Sequence, residues 1–215
     1  MRRRHHRGFT LIELMVAIAA MALLALMSWR GLDGMTRAQS VTQARGDAVL
    51  TLQTTLSQWA TDLDATIALA QLQPIDWNGS VLRITRRSGD PTRPAVVVVA
   101  WTLRTDAATG AQWRRWQSPE VTTRADWQQA WERAATWAQD GGTVAGGAEL
   151  TLMPLESWQL SYFRNGVWTA AVNAEGLANA IPDGIRLVLN LPPGTGLTGV
   201  LTRDWVKPTA VAPKT

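Results

Sequence analysis

Arg7-Gly8-Phe9-Thr10-Leu11-Ile12-Glu13-Leu14-Met15-Val16-Ala17-Ile18-Ala19 opens an apolar run that continues to Trp29. Between Phe9 and Trp29 the clearly polar residues are Thr10, Glu13 and Ser28, and Arg7 and Arg30 bracket the run. Its 21 residues suit a membrane span, because a helix rising about 1.5 Å per residue crosses a hydrocarbon core of about 30 Å. The expected organisation is a short basic leader at 1–8 and a transmembrane helix at 9–29. Arginines on the amino side stay cytoplasmic by the positive-inside rule, which places the rest of the chain across the membrane. A removable secretory signal is the other reading, with Ala17-Ile18-Ala19 as a small-residue cleavage site. Glu13 argues against it. A carboxylate within the span costs about 2 to 3 kcal/mol even on lenient insertion scales, and acidic residues there default to a functional role.

Beyond the span, the chain meets no proline until Pro74. Val49, Leu52, Leu56, Trp59, Leu63, Ile67 and Ala70 step by three or four, which predicts that one long helix continues as an amphipathic stem over 30–73 and lays this stripe on a sheet. Gly31, Gly34 and Gly46 are its expected weak points, at about 1 kcal/mol each relative to Ala. Thr54, Gln58, Thr61, Asp62 and Asp64 read as a solvated side, and Asp62 with Asp64 lacks the third carboxylate of a cation site.

After Pro74 the period changes to that of strands over 74–206. Val81 to Arg86 alternates loosely, and the β-branched run Val96-Val97-Val98-Val99 suits a buried strand within Ala95 to Thr105. A turn near Thr109-Gly110 predicts a hairpin into Gln112 to Gln117. Arg124 to Gln139 reads as a short helix ended by Gly141-Gly142. Ser157 to Arg164 and Val167 to Val172 flank the hairpin turn Asn165-Gly166, and Ile185 to Leu191 pairs with Gly199 to Val206 through Pro192-Pro193-Gly194-Thr195-Gly196. The tail over 207–215 is expected to be disordered. A long helix on antiparallel sheet is an α+β arrangement.

Composition excludes several functions. There is no cysteine, hence no disulfide framework, thiolate nucleophile or Cys/His zinc site. His5 and His6 lie in the leader, leaving no histidine after it for a His-dependent triad or metal site. No P-loop, Gly-x-Ser-x-Gly or Asp-rich calcium loop occurs, so we expect no catalytic residues, no cofactor and no metal. The formal charge of +4 is a property of the leader: of 21 Lys and Arg, the four arginines before residue 9 leave 17 against 17 acidic residues. Nucleic acid is therefore not an expected partner. The 12 tryptophans divide between core and surface. Trp59, Trp101, Trp158 and Trp168 fall in core patterns, whereas Trp113 and Trp116 point to opposite sides of one strand. With Arg114 and Arg115 between them, Trp113-Arg114-Arg115-Trp116 is a candidate interface, since Trp and Arg are enriched in binding hot spots.

The motif Arg7-Gly8-Phe9-Thr10-Leu11-Ile12-Glu13 resembles the class III signal of type IV pilins and type II secretion pseudopilins. That resemblance implies cleavage by prepilin peptidase between Gly8 and Phe9 and N-methylation of Phe9. It also implies an assembly role for Glu13, which would meet the amino group of a neighbouring subunit. Further along, Trp29-Arg30-Gly31-Leu32-Asp33, Trp113 to Trp116, Ser161-Tyr162-Phe163-Arg164-Asn165-Gly166-Val167-Trp168 and Ile181-Pro182-Asp183-Gly184-Ile185-Arg186-Leu187 are similar in order and spacing to the J-type minor pseudopilin. The resemblance implies a structural subunit at the tip of a periplasmic pseudopilus, anchored in inner-membrane lipid before assembly, with I-type and K-type minor pseudopilins and other pseudopilus subunits as partners. Two other readings are a minor pilin of a type IV pilus or competence system, and a membrane-tethered module that binds exported proteins.

Overall fold

The computed structural model describes residues 9–89, 95–140, 147–171, 180–194 and 196–208. The leader with Gly8, the Gly141-Gly142 helix stop, Val172 and most of the tail lie outside them. Helix α1, Leu11–Asp64, continues through Gly31, Gly34 and Gly46 without interruption. Contacts divide the chain into two units, Met1–Gly46 and Asp47–Thr215.

In the first unit the described part is helix alone. Its apolar side chains from Leu11 to Met27 are exposed all round, and the helix is long and apolar enough to cross a membrane. No described residue of the unit offers these side chains a protein core.

The second unit contains the rest of α1, two antiparallel sheets and a second helix, the α+β class expected. In the first sheet β1 (Ile75–Trp77), β2 (Val81–Arg87), β3 (Val96–Asp106), β4 (Gly110–Gln117) and β5 (Ala148–Pro154) lie in sequence order. The second sheet contains β6 (Ser157–Arg164), β7 (Val167–Ala170), β8 (Gly184–Leu191) and β9 (Gly199–Val206) in the order β7-β6-β8-β9. Helix α2 (Arg124–Asp140) connects β4 to β5. The expected hairpins form in register, with Asp106 opposite Gly110 and Arg164 opposite Val167. Asn165 and Gly166 both adopt positive φ, 50° and 82°, as a two-residue hairpin turn of the I′ kind demands.

Both faces of the first sheet are covered, which explains the unbroken valine run. Val97, Val99 and Trp101 face a core shared with Trp59 and Leu63 of α1 and with Leu160, Leu187 and Leu189 of the second sheet. Val98 and Ala100, on the opposite face, pack beneath Trp127, Trp131 and Trp137 of α2. In the larger core, Trp59, Trp77, Trp101, Trp113 and Trp158 form one aromatic cluster. Trp77 and Trp158 meet edge to face at 4.5 Å between centroids, and Trp59 and Trp101 do so at 5.2 Å. Each such side chain removes about 150 to 250 Å² from water, a large contribution in a chain without disulfides.

Three expectations need correction. The stem helix ends at Asp64, not at residue 73. There the backbone leaves the helix to pair with β2, Ile67 N–H donating to the Thr85 carbonyl and Arg87 N–H to that of Ala65, so sheet pairing overrides the helical period. Strands β1 and β5 were not anticipated; β1 has three residues, and β5 is an edge strand whose side chains are mostly exposed. Trp168 is half-buried on the outer face of the second sheet rather than in the core, against Phe163 at 5.2 Å and under the Arg186 guanidinium at 4.3 Å.

Candidate functional site

Of the expected processing and assembly residues Gly8, Phe9 and Glu13, the latter two are described and lie at the start of α1, where a helix leaves its first amide groups without intrahelical acceptors. Thr10 and Glu13 satisfy them as a reciprocal pair. The Thr10 amide and hydroxyl both donate to Glu13 Oε2, at 2.9 and 2.8 Å, and the Glu13 amide donates to Thr10 Oγ1 at 3.4 Å. This is a capping box, built by a Thr and a Glu three positions apart. Both Thr10 bonds fall on Oε2, so Oε1 has no partner among the described residues. Phe9 is 90% exposed beside it.

The four residues expected at an interface are used inside the protein, and the structure overturns that expectation. Trp113 and Trp116 do point to opposite faces of β4, but both faces are covered: the two are 0% and 1% exposed. Trp113 joins the tryptophan cluster against α1, and Trp116 stacks against Trp137 of α2 at 6.3 Å. Arg114 is bound by Glu149 on β5 at 2.6 Å, and its other terminal nitrogen lies 3.5 Å from Asp106. Glu149 also accepts from Arg104 at 2.6 Å and from the Trp137 indole at 2.7 Å, tying the end of α2 and the edge strand to β3 and β4. Burial works against ionised Glu149, but the bonds from Trp137 and Arg114 and the charges of Arg104 and Arg114 outweigh it, holding the carboxyl below its ordinary range.

Arg115 points into the protein, where it meets a residue that the sequence assigns to the solvated side. Asp62 is fully buried. Its carboxylate accepts from Arg115 Nε at 2.7 Å and Nη2 at 2.8 Å, from Arg86 Nη1 at 2.5 Å, from the Trp101 indole at 2.9 Å and from Gln58 Nε2 at 3.1 Å. A buried carboxylate is tolerated where opposite charge and hydrogen bonds replace its hydration, and five donors do so here. The helical phase carried the missed signal: Asp62 follows Trp59 by three and precedes Leu63, which places it at the margin of the apolar stripe. Asp64 is bonded by the Trp205 indole at 2.8 Å. Among the described residues, no three His, Asp or Glu side chains come together as metal ligands.

Set beside known proteins, residues 3–29 match the family model of the prokaryotic N-terminal methylation motif. The chain is similar in structure to one in the crystal structure of the GspK-GspI-GspJ complex from the type 2 secretion system of enterotoxigenic Escherichia coli. The identity is 16% and the TM-score 0.47, over 74% of this chain and 96% of that one. No curated protein matches the chain. The amino terminus thus carries a prokaryotic N-terminal methylation motif, leading into a helix long and apolar enough to cross a membrane and an α+β domain of two antiparallel sheets.

Proposed function

We propose that the protein is a structural minor pseudopilin of a type II secretion system, of the J type. The methylation motif over residues 3–29, with Glu13 inside the apolar helix, carries this reading. Prepilin peptidase cuts between Gly8 and Phe9 on the cytoplasmic side, the new Phe9 amine is methylated, and α1 holds the chain in the inner membrane with its sheets in the periplasm. The order and spacing of Ser161 to Trp168 and of Ile181 to Leu187 support the J type. In this role the chain is a subunit of the pseudopilus tip with I-type and K-type partners and catalyses no reaction.

The capping box suits Glu13 to its assembly role. Thr10 supplies donors while the chain is alone, so the carboxylate is not left bare in the span. Oε1 remains available to the amine of a neighbouring subunit. A charge in a desolvated setting is retained only where such compensation exists.

Intact mass spectrometry of the membrane-extracted protein, with co-purification of candidate I-type and K-type subunits, tests the reading. The expected mature chain begins at methylated Phe9 and retains both partners. A start beyond Ala17 would establish a conventional secretory signal and overturn the proposal. Correct processing with capture of type IV pilus subunits alone would assign the chain to a pilus instead.

A further inference from the structure

Strand β9 forms one edge of the second sheet, and no described element pairs with its outer side. The register fixes which backbone groups lie there. Lys207 N–H donates to the Asp183 carbonyl opposite it at 2.9 Å, continuing the ladder that sets Val206 against Gly184 and Leu201 against Leu189. Directly opposed residues of an antiparallel pair alternate between bonded and non-bonded. Residues 199, 201, 203 and 205 therefore bond to β8, while Val200, Thr202, Asp204 and Val206 turn their N–H and C=O groups outward. The edge has eight residues, no proline and an unbroken register with β8. Shortness, proline and a bulge, three of the devices by which sheets protect their edges, are absent from β9, and its charged side chains are the one such device present.

The side chains narrow the occupant. On the outer face Val200 and Val206 are 72% and 66% exposed. Asp204 between them is neutralised by Arg186 through two bonds of 2.7 Å. On the other face Arg203 and Lys207 have no ion-pair partner among the described residues; four positions apart on a strand, they stand about 13 Å from one another.

We infer that β9 receives an extended segment of a partner polypeptide, added as a further strand, with apolar residues on its outer face and carboxylates on the face beside Arg203 and Lys207. Main-chain bonds to the outward groups supply affinity, and the valines and cations select the segment. The inference stands apart from the secretion role, since it needs only the edge and its side chains.

The test uses the full-length chain in detergent micelles and a fluorescent peptide of alternating Val and Glu. Two peptides serve as controls: the same sequence N-methylated at alternate amides along the edge-facing side, and alternating Val and Lys. Anisotropy should rise saturably with the first peptide, and each control should bind at least about tenfold more weakly. Thr202→Pro should also weaken binding at least about tenfold. It removes an outward N–H, a position where an edge strand accepts proline without losing its bonds to β8. Arg203→Glu with Lys207→Glu should reverse the preference toward the Lys peptide, and this variant decides the matter if Thr202→Pro lowers the thermal midpoint. Absence of saturable binding, equal binding of the N-methylated peptide, or unchanged preference in the charge-reversed variant would overturn the inference. So would sedimentation showing that the chain already dimerises through β9, because the edge would then belong to a second copy.

Discussion

Arg115 of β4 grips Asp62 of α1 with both nitrogens of one guanidinium edge, at 2.7 and 2.8 Å, within a core that leaves Asp62 fully buried. The bond fixes the rotation and height of the helix on the sheet more tightly than the surrounding indoles can, since flat aromatic faces slide whereas a bidentate pair does not. Removing one member leaves the others charged and desolvated. Asp62→Asn should lower stability by about 3 to 5 kcal/mol, measured by urea unfolding followed through tryptophan fluorescence. Asp62→Leu combined with Arg115→Met should recover part of that loss. Strict additivity of the two single changes would show that the pair is not coupled.

Gly147 precedes β5, and a Cβ placed on it would lie 2.0 Å from Trp116 Nε1. The Trp116 ring is confined beneath α2 and cannot withdraw. Gly147→Ala should therefore destabilise by about 1 to 3 kcal/mol, the range of overpacked cores. Gly31→Ala, where nothing lies within 4 Å, should leave stability unchanged or slightly raised. Thermal midpoints of the two variants, recorded side by side, check the contrast.

Glu149 joins Arg104, Arg114 and Trp137 with its pKa held below the ordinary 4.5. A carboxyl depressed in the folded state stabilises fully above its unfolded pKa and loses that contribution as pH falls through the folded value. Its share is thus present at neutral pH and disappears on acidification below about 4.5. Glu149→Gln should lower the thermal midpoint at pH 7 and narrow the difference from wild type as the pH approaches 3. A difference that widened on acidification would contradict this sign.

Thr10 caps α1 two residues after Gly8, where the proposed cleavage falls. Thr10→Ala removes the hydroxyl that serves Glu13 and should loosen the first turn by about 1 kcal/mol. Hydrogen exchange of the amides of residues 12 to 14 in micelles should quicken severalfold, with the remainder of the helix unaffected. Intact mass should still report cleavage after Gly8, because the variant leaves the bond and its flanking glycine unchanged.

The amino terminus was legible because its information is local. The boundary at Phe9, the apolar run and a Thr and Glu three apart each state their physics within one or two helical turns. The hairpins at Thr109-Gly110 and Asn165-Gly166 were legible for the same reason: two backbone positions decide each turn. Alternation also reported that β4 presents Trp113 and Trp116 to opposite sides, but it carries no information on what covers a side. Here α2 covers one face and α1 with the second sheet the other, so an apparent interface became two cores. The fate of Asp62 was equally non-local. On the helix it is a polar residue beside a stripe, and its meaning comes from Arg86 and Arg115, 24 and 53 positions away. By itself the sequence determined the processing motif, the membrane-length helix and the α+β class. Only the tertiary structure decided where α1 ends, how the strands divide between two sheets and which charges are buried, because each depends on contacts between segments far apart in the chain.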